Sequence, residues 1–121
     1  MRKNYLVIID ESDELKNAIY FAAKRSAVNN ANLIMLYVVR PAVNTEWASV
    51  GNLIEQEETS EGKKISRFWS AVVEEKFKIK PMIIIKMGDK VYEIIKFLKE
   101  DKTIRYLVLA SSIENEPWAC Y

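Results

Sequence analysis

The chain has 121 residues, half of them apolar, with 18 Lys and Arg against 17 Asp and Glu and no histidine. That length and apolar content suit one domain around a single core, and a net charge of +1 without a long block of either sign leaves no electrostatic footprint for nucleic acid or a membrane surface. Without histidine, hydrolytic triads and zinc sites lose their commonest general base and their commonest ligand.

The amino terminus, Met1-Arg2-Lys3-Asn4, is charged, but the apolar run behind it, Tyr5 to Ile9, is broken at once by Asp10 and Glu11. It is too short for a signal peptide or a membrane span, so a cytoplasmic location is expected. The run is rich in Val, Ile and Leu with no polar alternation, the pattern of a strand buried on both faces. Leu15, Ala18, Ile19 and Ala22 then recur at helical spacing, with Ser12 placed as an N-cap and Asp13 and Glu14 complementing the positive end of the dipole. Asn29 and Asn30, which tolerate the left-handed conformation, mark the end of that helix.

A second buried-strand run spans Leu33 to Val39. Pro41 and Asn44 read as loop, and a longer helix follows with Ile65, Phe68, Trp69 and Val72 at core spacing; Gly62 within it costs about 1 kcal/mol of helix propensity and predicts a break or loose turn. The third run is Met82 to Ile85, after which Gly88-Asp89 reads as a turn and N-cap to a helix with Val91, Ile94, Ile95 and Leu98 on one face. The fourth run is Tyr106 to Ala110. Cys120, the single cysteine, has no partner in the chain for a disulfide.

Strand and helix alternating in this way predict a doubly wound α/β fold, a parallel sheet with right-handed crossovers and helices on both faces. Ligands of such sheets bind beyond the carboxyl ends of the strands. The positions to inspect are therefore Asp10, Val38 to Arg40, Gly88 and Asp89, and Ala110 to Ser112.

Tyr-Leu-Val-Ile-Ile-Asp-Glu-Ser at positions 5–12, the alanine-rich helix after it, and Ala-Asn-Leu-Ile-Met-Leu-Tyr-Val-Val at 31–39 resemble the first strand, helix and second strand of universal stress proteins. Met87-Gly88-Asp89 before a helix, Tyr-Leu-Val-Leu-Ala-Ser-Ser at 106–112, and Glu46-Trp47-Ala48-Ser49-Val50-Gly51 extend the match. The resemblance implies a Rossmann-like sheet of the adenine-nucleotide α-hydrolase kind, with strand order 3-2-1-4. The chain reads as one such domain over residues 1–121, short of the family's last helix and fifth strand.

The resemblance also implies a nucleotide site. Asp10 matches the family's Asp at the end of strand one and Val38 the Val after strand two, both on the adenosine; the Asp10 carboxylate is equally a turn or helix-start residue, and Val38 equally core. The family's phosphate loop runs Gly, two residues, Gly, nine residues, Gly with Ser or Thr. Here Ala110 and Ile113 stand at the first two glycine positions, and the third falls beyond Tyr121. A β-branched residue at positive φ is strained, so Ile113 argues against a working phosphate cradle, although Ser111 and Ser112 retain hydroxyl donors.

The expected function is a stress-response binding and regulatory module that needs no cofactor, in which adenine nucleotide (ATP or AMP) binding is ancestral and weakened or lost. It is not expected to be an enzyme, and no metal site is expected. The alternative is a response-regulator receiver or another doubly wound small-ligand protein such as a flavodoxin-like carrier. Asp10-Glu11 and Ser111 fit a receiver, but the third run ends in Lys86-Met87-Gly88 with no phosphorylatable Asp, and a flavin loop is missing. An unidentified protein partner is expected, together with a homodimer through the edge of Tyr106 to Ala110 and residues 113–121, with Trp118 as anchor. The tail folding back over its own sheet is the competing arrangement.

Overall fold

The computed structural model describes residues 3–40 and 48–110. The four apolar runs become four strands, β1 (Asn4–Ile8), β2 (Asn32–Val39), β3 (Met82–Met87) and β4 (Ile104–Leu109), joined by helices α1 (Leu15–Val28), α2 (Ala48–Phe77) and α3 (Lys90–Glu100). They form one sheet in the order β3-β2-β1-β4, and every pairing is parallel. Leu6 lies opposite Ile34 and Leu107, and Ile8 opposite Leu36 and Leu109.

Successive side chains of a strand point to opposite faces, so each central strand serves two cores. Tyr5, Val7 and Ile9 join Leu33 and Met35 against Leu15, Ile19 and Ala22 of α1 and Val73 of α2. Leu6 and Ile8 join Ile34 and Leu36 against Ile94 of α3. Burying side chains of this size stabilises by about 1.5–3 kcal/mol each. Helix α1 turns small residues, Ala18, Ala22 and Ala23, toward the sheet, which lets it lie close. Its end matches expectation, with Asn30 left-handed at φ 53°.

Four local expectations are corrected. Ser12 does not cap α1: Glu14 holds the N-cap position with no side-chain cap bond, and the Ser12 hydroxyl instead donates to the Ala110 carbonyl at 2.9 Å, a tertiary partner outcompeting the local one. Asp13 and Glu14 consequently lie just ahead of the first turn, which contains no acidic residue. The core stripe of α2 is rotated relative to the predicted one. Val73 is fully buried and Ile65 and Trp69 pack on the core, whereas Phe68 is exposed. The predicted apolar face of α3 is narrower, because Ile94 is buried and Leu98 packs on the core while Val91 and Ile95 face outward.

The fourth correction is Gly62. Helix α2 runs unbroken through it, and the residue is buried against β2, where a Cβ would stand 2.6 Å from the Tyr37 ring. The missing side chain is thus a packing requirement, not a break. Gly62→Val is expected to destabilise the fold by about 1–3 kcal/mol through overpacking, whereas in Gly62→Ala a gain of about 1 kcal/mol in helix propensity offsets part of the same intrusion. Urea unfolding should rank the valine variant below both others.

Candidate functional site

Beyond the carboxyl ends of β1 and β2 the sheet opens into a crevice of about 460 Å³, lined by Ile9, Asp10 and Glu11 on one side, by Tyr37, Val38, Val39 and Arg40 on the other, and by Lys90. That volume falls in the range of roughly 300–1,000 Å³ typical of small-ligand sites. Its floor is held by backbone bonds: the Ile9 N–H donates to the Leu36 carbonyl at 2.8 Å, and the Gly88 N–H to the Val39 carbonyl at 2.9 Å.

Asp10 is half-buried at the point where the chain leaves β1. One of its oxygens, Oδ1, accepts the Ser12 N–H at 2.9 Å, an Asx turn that fixes the carboxylate. The second oxygen makes no hydrogen bond within the described residues. The turn reading of Asp10 is thus met by Oδ1, and the carboxylate also lines the crevice. The loop it shapes carries Ser12, whose hydroxyl bond to Ala110 ties the end of β1 to the end of β4.

Gly88 makes the turn into α3 at φ +150°, a conformation side chains rarely adopt, and a Cβ there would also meet the Glu93 carboxylate at 2.8 Å. Asp89 caps α3 as expected, its carboxylate accepting the Tyr92 N–H at 2.9 Å. The acid after β3 is therefore occupied in capping and stands past the strand end, which removes the geometry a receiver requires. Lys90, the first residue of α3, follows directly and reaches the crevice wall.

Of the residues singled out from sequence, Asp10 and Val38 line the crevice together. Ala110 does not line it; it is buried among the α1-side core residues and contributes its carbonyl to Ser12. Ser111, Ser112, Ile113 and Trp118 lie outside the described residues, as do Glu46 and Trp47. Arg40 and Lys90 were not among the predicted site residues. Arg40 follows the second strand directly, a position already marked for inspection, but Lys90 reaches the crevice only through the turn at Gly88, which spacing alone does not reveal.

A parallel sheet in this order, with an open carboxylate at the end of β1, invites comparison with known folds. The chain matches the profile of the Universal stress protein family over residues 1–112. It belongs to the universal stress protein family. Among solved structures it is similar to the universal stress protein UspA from Lactobacillus plantarum, with 25% identity and a TM-score of 0.81 over 90% of this chain and 77% of that one. A universal stress protein family member from Burkholderia pseudomallei shares the fold at 16% identity and a TM-score of 0.76, over 90% of this chain and 81% of that one. So does a universal stress protein solved in complex with cAMP, at 18% identity and a TM-score of 0.62 over 84% and 68%. No curated protein sequence matches the chain at a significant level. Among the described residues, no helix is long and apolar enough to cross a membrane.

The Ser12 hydroxyl is the one side-chain bond joining the β1 loop to the end of β4 among the described residues. Ser12→Ala is expected to lower stability by about 1 kcal/mol, the net worth of an ordinary hydrogen bond, which denaturant titration would read as a lower midpoint at unchanged slope.

Proposed function

We propose that the chain is a cytoplasmic stress-response binding module that holds the adenosine part of a nucleotide at Asp10 and Val38, binds ATP weakly or not at all, and acts through partner contact rather than catalysis. The observation that carries this reading is the open oxygen of Asp10, fixed by its Asx turn in a crevice beyond the carboxyl ends of parallel strands. A ribose or base edge supplies the donors such an oxygen accepts. The adjoining walls of Val38, Val39 and Tyr37 give an apolar surface for a base. The cAMP complex of a fold relative supports the same class of ligand.

ATP is disfavoured because Ile113 stands where the family's phosphate loop has a glycine. A lost cradle removes several charge-assisted hydrogen bonds worth about 1.5–3 kcal/mol each, so the expected affinity for ATP with Mg²⁺ is no better than about millimolar. Calorimetric titration yielding a micromolar constant would overturn this part of the reading.

Partner contact is expected first between two copies. Among the described residues nothing pairs with the outer edge of β4, and its Tyr106, Leu107 and Leu109 are exposed. An open strand edge continuous with apolar side chains is completed by a second strand, and a two-fold dimer covers both copies with one patch. Light scattering over a concentration series should give a dimer that Leu109→Lys dissociates. An unmutated chain that is monomeric throughout, as a tail folded over the same edge would make it, would exclude the dimer.

A further inference from the structure

We propose that Arg40 and Lys90 form an anion subsite on the β2 and α3 side of the crevice, and that this subsite makes a nucleoside monophosphate, not a triphosphate, the ligand of the site. The inference rests on the adenosine reading of Asp10 and adds the place of the phosphate and the number of phosphates.

The crevice is divided by charge. Asp10 and Glu11 stand at the end of β1, and Arg40 and Lys90 stand across it at the end of β2 and the start of α3. Neither cation makes a hydrogen bond or an ion pair with any described residue, so both are available to a ligand. Lys90 is half-buried although it occupies the first position of α3, where a positive charge opposes the helix dipole and gains the helix nothing. Helix stability therefore gives no reason for a lysine there. An anion in the crevice does.

Charge directs the phosphate to this side, because the carboxylates of Asp10 and Glu11 repel it from the β1 end. A ligand whose hydroxyls bond Asp10 and whose anion lies opposite spans the crevice once. A phosphate monoester carries about −1.5 to −2 charges at pH 7, which two cations balance. A triphosphate brings further charge for which the described residues of the crevice offer no additional cation. Arg40 supplies the planar fork suited to phosphate oxygens and Lys90 a point charge.

The test is a titration of the full chain, isotope-labelled for backbone amide signals, with AMP, adenosine and ATP in parallel. AMP is expected to bind at least about tenfold more tightly than adenosine, the worth of one charge-assisted contact, and more tightly than ATP, with shifts at Asp10, Arg40 and Lys90. The double variant Arg40→Ala, Lys90→Ala should lose the advantage of AMP and keep the affinity for adenosine. Since neither side chain is bonded to any other described residue, its thermal unfolding should be no lower than that of the unmutated chain. Equal binding of AMP and adenosine, or a double variant that binds AMP undiminished, overturns the subsite while leaving the adenosine reading intact. A chain that binds neither adenosine nor AMP overturns both, and the adenosine arm distinguishes the two failures.

Discussion

A parallel sheet must be covered on both faces, because its crossovers place helices there and its strands carry apolar side chains on either side. In this chain the requirement is met fully at β1 and most of β2. Leu6, Val7 and Ile8 have almost no exposed surface, and neither have Met35 and Leu36. The two cover layers are unequal, with α1 and α2 on one face and the 11-residue α3 on the other. Where α3 does not reach, Leu107 and Leu109 of β4 lie open. Among the described residues, the exposed edge of β4 follows from that distribution of cover.

The strands were legible because a run such as Tyr5 to Ile9 can be nothing but buried on both faces, and the parallel alternation followed from helical spacing between such runs. The strand order came from family resemblance and not from periodicity. What escaped sequence reading was everything decided by a distant neighbour. Gly62 looks like a helix breaker until the Tyr37 ring is found against it. Ser12 looks like a cap until its hydroxyl is found on a carbonyl 98 residues away. Phe68 is exposed although spacing puts it in the core, and Val73, outside the predicted stripe, is buried, because the rotation of a 30-residue helix depends on what it meets, and Gly62 lets it settle close to β2.

The candidate site divides in the same way. Asp10 and Val38 could be named in advance because the family resemblance points to them and both stand near the carboxyl end of a strand, a fixed place in this fold. Arg40 is nearly as local. Lys90 reaches the crevice only because Gly88 turns the chain and Asp89 starts the helix where it does. The short segment between β3 and α3 thereby places Lys90 at the crevice.

The bond from the Gly88 amide to the Val39 carbonyl has a further consequence, for the way the molecule opens. Among the described residues β3 is an edge strand paired only with β2, and much of β3 and α3 is half-buried or exposed. The β3 and α3 segment is thus the natural first unit to detach in local unfolding, as regions with few buried contacts are. Arg40 and Lys90 stand at the seam this bond closes, whereas Asp10 belongs to the core half. A ligand bridging the two would act as a clasp, slowing amide exchange in the outer unit by an amount set by its own occupancy.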